Sequence, residues 1–132
     1  MVIKDCKYID DLNIYQASKQ GMITCFFYFA AKHQLFLTDA MPISTLDVET
    51  IDIIKGDSKS KNIAAASILA KVTRDRIMVE LDKKYPQYGF KNHKGYGTKK
   101  HIEAIKEFGI IEGIHRLTYE PCRTIFRKIS LF

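Results

Sequence analysis

The sequence predicts an α/β fold around a mostly parallel sheet, and three observations lead there. Two short runs, 35–38 and 51–55, are rich in bulky or β-branched residues and end at polar breaks, the pattern of buried strands. Apolar residues recur at helical spacing on either side of them, as they do where helices join and cover parallel strands. Two strands are nevertheless too few to cover those helices or satisfy their own edges, so the inventory reads as part of a larger sheet.

The first helix is expected to start near Asp11, whose short carboxylate can cap free backbone N–H groups. It runs through Leu12, Tyr15, Ala17 and Met22 toward Lys32, with Gly21 in its interior. The strand 35–38 follows the polar pair His33 and Gln34 and stops at Asp39. Residues 40–49 contain Pro42 and several small polar residues and read as a connection. The second strand, 51–55, is ended by Gly56, so Asp57 also follows a strand end. Over 60–84 the spacing of Ile63, Ala66, Ala70, Ile77 and Leu81 predicts one long helix, with Lys71, Arg74 and Lys84 toward solvent. Its small residues Ala64, Ala65, Ala66, Ser67 and Ala70 would let a strand approach closely, and Pro86 closes it. A further helix is expected after Thr98 as N-cap, with Ile102, Ile105 and Phe108 on one face and Gly109 at its stop.

A chain of 132 residues, 46% of them hydrophobic, suits one small domain with one modest core. The longest nearly apolar stretch, 23–31, is interrupted by Thr24 and falls short of the roughly 20 residues that a membrane-spanning helix needs. The first residues mix Lys4 and Lys7 with Asp5, Asp10 and Asp11, unlike a signal peptide, and a cytoplasmic location is expected. Cys6, Cys25 and Cys122 lie far apart and outside any metal-ligand spacing, so they read as idle thiols. Residues 1–52 hold four Lys/Arg against seven Asp/Glu, while 53–132 hold seventeen against eight. The second part is thus the candidate for a polyanion-binding surface, or simply a solvated basic face.

Asp39 and Asp57 are the candidate metal ligands. Each follows a short strand, and if the strands are neighbours their ends would bring the carboxylates together, an arrangement that Mg2+ or Mn2+ would make favourable. Ordinary turn aspartates are the competing reading. Asp75, between Arg74 and Arg76, reads as an ion-pair partner. The stretch 91–101 carries six basic or potentially basic side chains and no acid, with Tyr96 between Gly95 and Gly97, which leaves room for a nucleic-acid backbone or sugar near the ring. A flexible solvated loop would explain it too. Residues 55–60 are similarly polar but lack the GxxxxGK[ST] spacing of a nucleotide-binding loop. The four histidines match neither HExxH nor a nucleophile triad; His115 with Arg116 reads as a phosphate contact or as a structural hydrogen-bonding group.

Several of these segments, in order, resemble bacterial ribonuclease HII. Lys55-Gly56-Asp57-Ser58-Lys59-Ser60 continues through Ile63-Ala64-Ala65-Ala66-Ser67 to Arg74-Asp75-Arg76. Tyr85-Pro86-Gln87-Tyr88-Gly89-Phe90 follows, then His93-Lys94-Gly95-Tyr96-Gly97-Thr98-Lys99 and His115-Arg116-Leu117-Thr118-Tyr119-Glu120-Pro121. Fainter similarity extends upstream through Thr38-Asp39-Ala40-Met41 and Ile9-Asp10-Asp11-Leu12. The resemblance implies a ribonuclease H-like fold and an endonuclease that cuts the ribonucleotide-containing strand of RNA/DNA hybrids or of DNA with embedded ribonucleotides. It implies Mn2+ or Mg2+ held by four acids, of which Asp39 and Asp57 would be the third and fourth. Tyr96 would recognise the ribonucleotide, with Lys59, Lys94 and Lys99 holding the backbone.

The family's other two acids belong to a DEAGRG motif on the first strand, and these 132 residues contain no such motif. The resemblance therefore implies residues 1–132 as a partial domain without its N-terminal strands, impaired in cutting unless an N-terminal segment, separately encoded or joined, is supplied. A catalytically inactive duplex-binding fragment and an unstable remnant are the alternatives.

Overall fold

The computed structural model describes residues 1–29, 35–44 and 49–129. They form two compact units, one of Met1–Lys4 with Leu12–Lys71 and the other of Asp5–Asp11 with Val72–Phe132. The described residues are mostly helical, with one two-stranded parallel sheet.

Helix α1 spans Cys6–Leu12 and α2 spans Ile14–Phe29. The helix start expected at Asp11 is corrected: Asp11 lies inside α1, and the break falls at Asn13, whose φ of 71° turns the chain left-handed. Asparagine tolerates that conformation, and its Oδ1 accepts from the Gln16 N–H at 3.1 Å, capping α2. Asp5 does the same for α1, accepting from Tyr8 N–H at 2.8 Å. The expected run from Phe29 toward Lys32, with His33 and Gln34, lies outside the described residues.

Strand β1, Leu35–Asp39, pairs in parallel with β2, Glu49–Ile53, in a register that sets Leu35 opposite Glu49 and Asp39 opposite Ile53. The second strand therefore begins and ends two residues before the expected 51–55. Lys55 adopts a left-handed φ of 56°, which takes the chain out of the sheet before Gly56 is reached. A short helix α3, Gly56–Lys59, follows, then α4 over Lys61–Lys84, close to the predicted 60–84.

Only part of α4 is covered. Ile63 is buried, and Ile77 and Leu81 are half-buried. Ala65, Ala66, Ser67 and Ala70 are exposed, together with Ile68 and Leu69 at 61% and 68%. Close packing of a strand on this small-residue face is thus not made among the described residues.

In the second unit a 3-10 turn at Pro86–Tyr88 leads into α5, Phe90–His93, then α6, Lys99–Phe108, and α7, Cys122–Ile129. Tyr88, Phe90, Ala104, Ile105 and Cys122 form the buried core, with Met78, Leu81, Ile111 and Ile114 among the side chains packed on it. Thr98 caps α6 as expected, its Oγ1 accepting from His101 N–H at 3.4 Å, and Gly109 ends it at φ 87°. The buried face of α6 is His101, Ala104 and Ile105 rather than Ile102, Ile105 and Phe108, since Phe108 is half exposed. The Tyr88 hydroxyl closes the helix by donating toward Phe108 O and Gly109 O, at 3.1 and 2.9 Å.

Candidate metal and nucleic-acid site

In the first unit, the parallel pairing puts the ends of β1 and β2 side by side. Asp39 is the last residue of β1, and its Oδ1 accepts from the Gly56 N–H at 2.8 Å, while Ala40 N–H reaches Ile53 O at 3.1 Å. Gly56 is buried so tightly that a Cβ there would lie 2.7 Å from Ile63 Cδ1 and 3.4 Å from Asp39 Cα. The next residue is Asp57, exposed in the first turn of α3, and Lys59 is exposed two residues further on. Asp39 and Asp57 are thus linked through one glycine, both with carboxylates reaching solvent. Hard carboxylate oxygens of this kind are the donors that Mg2+ and Mn2+ take. No group of three or more His, Cys, Asp or Glu side chains is disposed to hold a metal among the described residues.

In the second unit, Lys94 and Gly95 both take left-handed conformations, with φ 51° and 78°, and lift Tyr96 to 66% exposure. Arg74, expected only to reach solvent, holds this turn from α4. Its Nη2 donates to Lys94 O at 2.6 Å, and its guanidinium lies 4.8 Å from the Tyr96 ring centre, within cation–π range. Lys99 is almost fully exposed at the start of α6, 4.0 Å from Glu103 Oε1. Lys94 is half-buried and spends its Nζ on Lys91 O at 2.8 Å.

The basic stretch 91–101 is corrected in one respect. His93 and His101 are buried, their rings stacked 4.1 Å apart, and face the core rather than solvent. His115 is buried beside them and accepts from Ile111 N–H at 2.8 Å, which favours its structural reading over a phosphate contact. Burial, reinforced by the neighbouring imidazoles, pushes His115 down to about 4, and burial also lowers His101. Arg116 lies over the Tyr119 ring at 4.2 Å.

Asp10 was not singled out from the sequence. Its carboxylate accepts from Leu117 N–H at 2.7 Å and from the Thr118 N–H and hydroxyl at 3.0 and 2.5 Å. Burial alone would raise its carboxyl, but these hydrogen bonds and Arg116 hold it below its usual range. The pairing of Ile9-Asp10-Asp11 with His115-Arg116-Leu117-Thr118 as two conspicuous segments was the available signal.

The ribonuclease HII family profile matches residues 4–122, which include every candidate site residue above. The ribonucleases HII of Bacillus cereus strains B4264 and Q1 are 51% and 52% identical over 120 residues, 91% of this chain and 46% of each relative. That of Bacillus thuringiensis strain Al Hakam is 50% identical over the same shares. The chain spans about half the length of the curated relatives it matches. With a family match over most of its residues and half of the aligned positions identical, the chain belongs to the ribonuclease HII family.

Proposed function

We propose that residues 1–132 are part of one ribonuclease H-like domain of a cytoplasmic endonuclease. It cuts the ribonucleotide-containing strand of RNA/DNA hybrids or of DNA with embedded ribonucleotides. The family match crosses both compact units, which supports one domain rather than two. The observation that carries the chemical reading is the Gly56 N–H bond to Asp39 at the ends of two parallel strands, which sets a second carboxylate, Asp57, one residue away.

Asp39 and Asp57 would hold Mn2+ or Mg2+. The chemistry supplied by such ions is activation of water and stabilisation of charge on the scissile phosphate, giving a 5′-phosphate and a 3′-hydroxyl. Tyr96 presents its ring to the sugar of the ribonucleotide. Lys59 and Lys99, exposed, and Lys94, partly so, neutralise neighbouring phosphates. Two carboxylates are few against the roughly six oxygen ligands that such ions prefer. The further acids would come from the DEAGRG element that the resemblance assigns to the family, joined to this chain or supplied separately.

The test is cleavage of a duplex bearing one ribonucleotide, in Mg2+ and separately in Mn2+. The 132-residue chain alone should cut poorly. Adding a DEAGRG-containing segment, or joining it covalently, should restore metal-dependent cleavage, and Asp39→Asn or Asp57→Asn should then abolish it. Robust cutting by the chain alone, or products ending in a 2′,3′-cyclic phosphate, would overturn the reading. Salt-sensitive binding without cleavage by the joined form would favour a duplex-binding fragment instead.

A further inference from the structure

We infer that His115 and His101 form a buried, one-way imidazole relay that fixes the backbone of Tyr96, making both positioning residues for ribonucleotide recognition. The inference rests on the reading of Tyr96 given above, but the relay itself follows from donors and acceptors alone.

The chain of bonds begins at Ile111 N–H, which can only donate. Its acceptor is His115 Nδ1, at 2.8 Å. That nitrogen must be unprotonated, so neutral His115 carries its proton on Nε2. His115 Nε2 lies 3.3 Å from His101 Nε2, and the proton it carries makes it the donor and His101 Nε2 the acceptor. His101 must then carry its own proton on Nδ1, which lies 2.9 Å from Tyr96 O, a group that can only accept. Both ends of the relay are backbone groups of fixed polarity, so one tautomer of each ring satisfies every bond. The same carbonyl also accepts from Thr98 N–H at 2.8 Å, and Tyr96 N–H donates to His93 O at 2.8 Å.

His93 packs against the relay without joining it. Its Nε2 donates to Tyr88 O at 2.8 Å and its Nδ1 accepts from Gly95 N–H at 3.2 Å, so both ring nitrogens are already engaged. The rings facing His101 and His115 are those of His93, Phe90 and Tyr88, and the titratable groups that bear electrostatically on the two imidazoles are the other histidines. A proton added to either ring has no acceptor waiting. On His101 it would set N–H against N–H at the 3.3 Å contact, and on His115 it would face Ile111 N–H. The direction of the pKa shifts, down for both, agrees with rings held neutral.

The inference can be tested on the 132-residue chain by long-range 1H–15N correlation of histidine-labelled protein. His101 should show the less common Nδ1–H tautomer and His115 the Nε2–H tautomer, both titrating below the ordinary imidazole value of 6.5. An Nε2–H tautomer at His101, or protonation of either ring near 6.5, would overturn the relay. The wild-type spectrum decides this without depending on whether a variant folds.

Binding then tests the positioning role, as the preference for a duplex with one ribonucleotide over the all-DNA duplex. His101→Asn places an amide N–H where Nδ1–H stands and should keep the preference. His101→Gln cannot place it there and should lower the preference about tenfold, the scale of one lost hydrogen bond. A preference in the wild type that His101→Gln leaves intact would overturn the positioning role. If the wild type shows no ribonucleotide preference while the tautomers are as stated, the functional reading of Tyr96 fails and the relay stands.

Discussion

Arg74 ties the basic turn to α4 through two different kinds of contact, a hydrogen bond to Lys94 O and a guanidinium face over Tyr96. A lysine at this position keeps the charge but loses the planar fork that lets one group do both. Arg74→Lys should therefore weaken duplex binding, and in a double-mutant cycle with Tyr96→Ala the two changes should couple by about 1 kcal/mol. Fluorescence anisotropy with a labelled duplex measures the cycle. Strict additivity would mean that Arg74 acts only as a separate phosphate contact. The exposure of Tyr96 was legible in the sequence because it stands between glycines in a basic run, whereas the contacts of Arg74 were not. Its partners lie some twenty residues away, and nothing in the local pattern of a helix says which exposed arginine bends back onto a turn. The histidines show the same limit in reverse. Counted along the chain, His93 and His101 join the lysines, but their partners Tyr88 O, Gly95 N–H and Tyr96 O draw both rings into the core.

At the scale of elements, capping is settled locally and is legible in the sequence, whereas packing depends on distant neighbours and is not. The Thr98 cap and the Gly109 stop of α6 were legible because capping is settled within a few residues. Asp11 and Asn13 are both able to cap and both tolerate the left-handed region, and the break falls at Asn13, where φ is 71°. The apolar and small residues of α4 predicted a helix correctly, yet which face is covered depends on what packs there, and Ile68, Leu69 and Ala70 are exposed. The corner between β2 and α3 is where an element directly sets the candidate site. Gly56 is needed there for space: a Cβ would meet Ile63 Cδ1 at 2.7 Å, and Asp39 Oδ1 lies 3.4 Å away. Because Ile63 is itself buried, its side chain can yield only by disturbing its neighbours. Gly56→Ala should cost about 1–3 kcal/mol by overpacking, and should lower cleavage by the joined form as Asp39 is displaced. Chemical denaturation checks the first effect and the single-ribonucleotide assay the second. A variant of unchanged stability and activity would show that the corner is less tightly fitted than its contacts indicate.

Over the whole molecule, groups that titrate below their usual range weaken this fold in acid, and those of the second unit's interior and of Asp10 act in two windows. His115 is held near 4 against an ordinary value of 6.5, and His101 is lowered as well, both by burial first. Between those values the unfolded chain binds protons that the folded chain refuses, so stability rises with pH across the window. Their contribution is full above about 6.5 and declines as the pH falls toward 4, by about 3 kcal/mol for His115 taken alone. Asp10 acts lower down. Its carboxyl is depressed in the folded state, so its contribution is present above its ordinary value of 3.8 and is lost as the pH falls through its folded value. Urea unfolding at pH 7.5, 5 and 3 should therefore show two successive losses. His115→Asn retains a δ-position oxygen able to accept from Ile111 N–H but cannot titrate, so it should be less stable than the wild type at pH 7.5 and lose less than the wild type does by pH 5, the remaining loss being that of His101. Asp10→Asn should leave the upper window unchanged and flatten the lower one. If the wild type were as stable at pH 5 as at 7.5, the buried imidazoles could not be held neutral in the folded state, and the one-way relay that ends on Tyr96 O would fall with them.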